Sequence, residues 1–163
     1  MSTLIGIIKC KKSLLSVDFN KQGELLIQKR ADHMDLAPGK WDQSAAGHVD
    51  EGESYIEAAL RETKEELGLD IPKDRFQYLF TLKTENTTNN GVYINKEFKD
   101  VYLVEMDLNI SELNLQESEV SDVKFILVKE LERMVKEGDI RLASQNEEYQ
   151  KLFEYLKEKL NQK

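Results

Sequence analysis

Three glutamates, Glu62, Glu65 and Glu66, stand at i, i+3 and i+4, which puts their carboxylates on one side of a helix. Like charges so placed repel by about 0.2–0.5 kcal/mol per pair on an isolated helix. On an arbitrary acidic helix this is a solvated face. It is also the donor set of a hard cation, because Mg²⁺ takes oxygen ligands and keeps several waters that a phosphate can replace. A cation there would neutralise charge on a transferred phosphoryl group and lower the pKa of a bound water.

The helix that must present them has legible edges. Ser54 with Glu57 three residues later forms a capping box. Gly68 suits the left-handed position after the last turn, with Leu69 folding back. A helix is predicted over Ser54 to Leu67. Ile56, Leu60, Thr63 and Leu67 share a narrow stripe expected to face the core, away from the three glutamates.

Strands are predicted at Leu4 to Ile8, Leu14 to Phe19, Glu24 to Gln28, Phe76 to Thr84, Phe98 to Met106 and Val120 to Val128. Asn20 to Gly23 reads as a turn, Lys29 to Trp41 as a loop, and Glu85 to Gly91 as an exposed hairpin loop. Lys129 to Lys136 and Glu147 to Leu160 read as helices, the second with Tyr149, Leu152, Phe153, Leu156 and Leu160 on one stripe. Strands interleaved with helices indicate an α/β or α+β domain whose mixed sheet is covered on both faces.

The 163 residues suffice for one domain with its own core. A net charge of -8 argues against gripping a nucleic acid polymer, which needs a basic surface. A small anion remains possible if something local reverses the field. Cys10 is the only cysteine, so neither an internal disulfide nor a thiolate zinc site can form. No secretory signal or membrane-spanning run is visible, and the expectation is a soluble cytoplasmic protein, monomer or homodimer.

The full string Gly47, Glu53, Arg61-Glu62, Glu65-Glu66, Gly68-Leu69 resembles the signature of the Nudix hydrolases, with every fixed position present. Thr63 departs from it, standing where the family usually has an aliphatic residue. The resemblance implies a Nudix-type α/β/α sandwich with a mixed β-sheet, hydrolysing a nucleoside diphosphate linked to another group. It assigns Glu62, Glu65 and Glu66 to Mg²⁺ or Mn²⁺, with the Ala46 carbonyl as a backbone ligand. Gly47 shapes the loop, and Glu53 and Arg61 brace loop against helix. The attacking water falls to a glutamate of the box, Glu65 or Glu66, or to one on a later loop. There Glu119 is preferred and Glu117 is second.

The preceding segment, LLIQKRADHMDLAPGKWDQSAAGH, is similar to the Nudix branch that includes isopentenyl diphosphate isomerase. By that likeness Arg30 would hold a diphosphate, with Lys40 a weaker candidate. The isomerase's reactive cysteine would fall at Ala46, no histidine precedes His33, and the box is complete, so a hydrolase is the better reading. Glu97 matches an acidic position of the isomerase, although a strand-edge charge explains it as well. His48 and Trp41 read as structural. An isomerase-like enzyme and a non-catalytic nucleotide-binding regulator remain the alternatives, and the expected partner is a small-molecule diphosphate.

Overall fold

The computed structural model describes residues 7–19, 22–88, 93–143 and 147–161. In chain order the elements are β1 (Ile7–Phe19), β2 (Glu24–Arg30), β3 (Trp41–Gln43), β4 (Ala45–His48), α1 (Tyr55–Leu67), β5 (Phe76–Thr88), β6 (Tyr93–Glu105), β7 (Val120–Leu127), α2 (Val128–Glu137) and α3 (Glu147–Asn161). Short 3₁₀ turns lie at Lys73–Arg75 and Ile110–Glu112.

Among the described residues seven strands form one mixed sheet. β1 runs parallel to β6, and every other pairing is antiparallel. Parity along two strands shows how the layers are built. On β2, Leu25 and Ile27 join one core while Leu26 joins another. On β6, Val101 and Leu103 pack on the first side, Tyr102 and Val104 on the opposite one. Successive side chains of a strand point to opposite faces, so these runs are apolar because both faces are covered. Val128, Leu131 and Met134 of α2 and Tyr149, Leu152, Phe153 and Leu156 of α3 cover the first face. Ala58, Ala59 and Leu67 of α1 cover the other. The result is the expected α/β/α sandwich.

Boundaries moved where pairing overrides local pattern. The two strands expected at Leu4 to Ile8 and Leu14 to Phe19 belong, from Ile7 on, to the single strand β1, paired with β6 residue by residue. Residues 4–6 lie outside the described residues. The polar stretch expected as a hairpin loop from Glu85 is instead β5 as far as Thr88, paired with β6 up to Tyr93; residues 89–92 lie outside the described set. Lys29 and Arg30 extend β2, and Trp41 opens β3. Trp41 packs against the α2/α3 core with the Lys124 Nζ 4.4 Å above its ring, a structural place.

Among the described residues no helix is long and apolar enough to cross a membrane.

Candidate active site

α1 begins and ends as its caps dictate. Ser54 and Glu57 exchange the two hydrogen bonds of the capping box, and Gly68 takes φ 72°. A Cβ at Gly68 would sit 2.7 Å from the Asn114 Cβ, so the glycine also lets the later loop approach. That loop is stitched to the end of the helix: the Asn114 amide donates to the Leu67 carbonyl at 3.1 Å, and the Gln116 amide to the Glu66 carbonyl at 3.0 Å.

One expectation about α1 is corrected. Its carboxylates do not all lie away from the core. Glu62 and Glu66 are buried with Ala58, Ala59, Thr63 and Leu67, whereas Ile56 and Leu60 are only half-buried and Glu65 is exposed. The helix packs on the small residues of β4, which leave room for glutamate side chains. At Gly47 a Cβ would run into the Glu62 side chain, 2.6 Å from its Cγ and closer still to the carboxylate. The glycine is the space Glu62 occupies.

Burial sets the electrostatics. It pushes the Glu66 carboxyl up to about 8; a hydrogen bond from Gln28 opposes this, and the charges of Glu62 and Glu119 add to it. Both the Gln28 side-chain amide, at 2.9 Å, and the Ala46 amide, at 3.4 Å, donate to the same Glu66 oxygen. Burial likewise raises Glu62, opposed by Arg61 and reinforced by Glu65 and Glu119.

Arg61 is the brace. It forks onto Glu53 through Nε and Nη2, each at 2.9 Å, and donates to the His48 carbonyl at 2.9 Å. It also reaches Glu62 at 2.7 Å and Glu65 at 3.3 Å. The hydrogen bond to Glu53 is the main cause holding its guanidinium above the ordinary arginine value. One side chain thus ties the 48–53 loop to the carboxylates. We expect Arg61→Met to weaken Mg²⁺ binding by about 10- to 100-fold, as loss of a residue that orients ligands does. Isothermal titration would show it, and unchanged affinity would refute the bracing role.

These groups open onto a cavity of about 490 Å³. Gln28, Ala46, Gly47, Glu62, Glu65, Glu66 and Glu119 line it together with Arg30, Asp42, Lys99, Met34 and Leu36. The structure therefore gathers the box carboxylates, Ala46, Gly47, Arg61, Glu119 and Arg30. Glu119 arrives because its carbonyl accepts from the Ala31 amide at 2.8 Å and its side chain from Gln116 at 3.3 Å. Glu117 is exposed and does not line the cavity; neither do Lys40 and Glu97. Arg30 sits at a β-bulge between Lys29 and Arg30, an irregularity that re-aims a side chain. Its guanidinium donates to the Leu36 carbonyl at 2.9 Å and lies 3.5 Å from Asp42.

Lys99 was not anticipated. Its signal was parity: it shares a face of β6 with Val101 and Leu103, which argues against a solvated lysine. It bonds Glu148 of α3 at 3.1 Å. Burial pulls its ammonium down, but the charge and hydrogen bond of Glu148 more than offset this, aided by Glu97 and Asp42, and it stands above the usual lysine value.

The donor set fits a divalent cation. Two carboxylates raised by burial, Glu66 further by the charge of Glu62 and both by that of Glu119, are relieved by positive charge. Among the described residues no three His, Cys, Asp or Glu side chains are gathered closely enough to hold an ion alone. Waters and phosphate oxygens would complete the shell, as is usual for Mg²⁺.

Comparison with known proteins agrees with this geometry. The family model described as NUDIX domain matches residues 12–146. The chain is 39% identical over 140 residues to Nudix hydrolase 3 of Arabidopsis thaliana, covering 83% of this chain but 18% of that protein. It is 32% identical over 106 residues to an isopentenyl-diphosphate Delta-isomerase of Cutibacterium acnes, covering 64% of this chain and 53% of the relative. Its fold is similar to that of a MutT protein from Methanosarcina mazei, with a TM-score of 0.66 at 20% identity over 95% of this chain and 97% of the other. With the box intact on α1 and the fold shared, the chain belongs to the NUDIX family.

Proposed function

We propose that the chain is a Mg²⁺-dependent pyrophosphohydrolase, with Mn²⁺ as an alternative ion, cleaving a phosphoanhydride bond in a nucleoside diphosphate-linked or related organic diphosphate. The observation that carries this reading is the meeting of buried Glu62 and Glu66 with Glu119 in one cavity that also holds Arg30. Six carboxylates and three fixed cations line it, so a diphosphate needs accompanying positive charge to enter.

Glu62, Glu65 and Glu66, with the Ala46 carbonyl, would hold the ion. When bound, it neutralises phosphate charge and makes a coordinated water more acidic. Arg30, already fixed by Leu36 and Asp42, binds phosphate oxygens through its planar fork. Met34 and Leu36, at the cavity's edge, meet the organic group. Glu66 and Glu119 are the proton acceptors for the attacking water: both lie in the cavity, and burial, with the charges of Glu62 and Glu119 adding to it, raises Glu66 to about 8. An isomerase-like reaction lacks support because Ala46 offers no titratable group.

The test is phosphate release from nucleoside di- and triphosphates, nucleotide sugars, dinucleotide polyphosphates, coenzymes and isopentenyl diphosphate, each with Mg²⁺ or Mn²⁺. Metal-dependent release supports the reading. A folded protein that binds Mg²⁺ and hydrolyses none of them counts against it. Within that assay, Glu119→Gln is expected to lower kcat by about 10²-fold, the scale of a lost general base. Glu117→Gln should leave it unchanged, and the reverse order would exchange their places.

A further inference from the structure

We propose that Lys99 is a substrate-binding residue whose ammonium, fixed by Glu148 of α3, takes a phosphate oxygen of the diphosphate in the cavity that the glutamates also line. The nature of that anion rests on the pyrophosphohydrolase reading; the anion-binding role itself does not.

Three observations carry it. The first is position. Lys99 lies opposite Ser13 of β1, and Ser13 in turn lies opposite His48 of β4. Lys99 is therefore two strand spacings, roughly 10 Å, across the sheet from the strand that carries Ala46 and Gly47, and it lines the same cavity.

The second is an asymmetry of exposure. The Glu148 side chain is 2% exposed and that of Lys99 is 26%. The carboxylate is the buried support and the ammonium the end that meets the cavity. An ion pair placed there is a poor device for stability, since buried pairs seldom outperform apolar packing of the same volume. The layer beneath it is costly as well. The Glu148 Oε1 and the Tyr149 hydroxyl are buried without a hydrogen-bond partner among the described residues, and buried polar groups in that condition add cost to the arrangement.

The third is commitment. Of the three cations on the cavity, Arg61 is engaged by Glu53, Glu62 and the His48 carbonyl, and Arg30 by Asp42 and the Leu36 carbonyl. An ammonium has three donors, and Glu148 takes one. Two donors of Lys99 remain for an incoming anion.

The experiment is titration of methylenediphosphonate, a diphosphate that cannot be hydrolysed, into the whole chain with Mg²⁺. Lys99→Met is expected to weaken binding about tenfold or more, the loss of one charge-assisted hydrogen bond, and Lys99→Arg to recover most of it. Because Lys99→Met strands a buried carboxylate, the double variant Lys99→Met/Glu148→Gln is measured beside it. It should regain the thermal stability lost by the single variant without regaining affinity. If the double variant binds like the wild type, Lys99 only balances Glu148 and the proposal falls; it falls equally if Lys99→Met alone binds normally or if the wild type does not bind. On any substrate that turns over, Lys99→Met should raise KM more than it lowers kcat. Lys99-dependent binding by a wild type that hydrolyses nothing would sink the hydrolase reading and leave this one standing.

Discussion

Glu66→Gln is expected to cost at least about 10³-fold in kcat while leaving the protein folded, the largest effect of any single substitution in the cavity. The amide keeps the volume of the carboxylate at a position only 2% exposed, so packing is preserved. On the proposed roles it removes a ligand charge and a proton acceptor together. The same change reports on the site without any substrate. The Glu66 carboxyl stands at about 8 in the folded protein against an ordinary 4.5. Between those values the folded state keeps a proton that the unfolded state releases, so metal-free stability falls as pH rises from about 4.5 and levels off past about 8. Thermal unfolding in EDTA at pH 5, 7 and 9 should show this decline in the wild type and a shallower one in Glu66→Gln. Mg²⁺ added at high pH should raise the Tm of the wild type and not that of the variant, because only a state that binds the ion is stabilised by it. Equal slopes in EDTA, or an equal Tm gain with Mg²⁺, would show that Glu66 is not the buried carboxylate this site depends on.

The features legible in the sequence were those that local chemistry decides. The Ser54/Glu57 box and Gly68 fix α1 at both ends, whatever the helix packs against. The Tyr149, Leu152, Phe153 and Leu156 stripe of α3 is buried as its spacing predicts; Leu160 has no described side-chain environment. Facing was less legible, since it depends on the partner surface. Glu62 and Glu66 lie on a buried face because β4 offers glycine and alanine there. Lys99 was illegible for a related reason: the identity of a strand's neighbours is a long-range fact, and its partner Glu148 is 49 residues away. Lys40, the weaker candidate offered beside Arg30, does not line the cavity; its carbonyl accepts from the Arg30 amide and closes the loop. For Glu119 over Glu117, the discriminating contacts are Ala31 and Gln116, neither of which an acidic run announces.

Gly47→Ala isolates the geometry on which the proposed metal site of three helical glutamates depends. Its methyl would occupy the volume of the Glu62 carboxylate. Glu62 has little freedom to give way, because Arg61 holds it at 2.7 Å and is itself anchored on Glu53. Either that ion pair breaks and Glu62 swings aside, or β4 lifts from α1 and carries Ala46 with it. Both displace an oxygen assigned to the ion. We expect a loss of about 1–3 kcal/mol in stability, as for overpacking elsewhere. Mg²⁺ affinity and kcat/KM should fall together by about 10- to 100-fold. Gly52→Ala is the matched control. Gly52 has φ 83° and nothing within 4 Å of an added Cβ, so alanine there carries backbone strain of about 1 kcal/mol with no collision. It should lower Tm and keep both Mg²⁺ affinity and kcat. If both alanines cost the same stability and only Gly47→Ala loses the ion, the close approach of β4 to α1 is a requirement of the site. If Gly47→Ala binds Mg²⁺ as the wild type does, Glu62 is a structural partner of Arg61, and the ion must rest on Glu65, Glu66 and the Ala46 carbonyl.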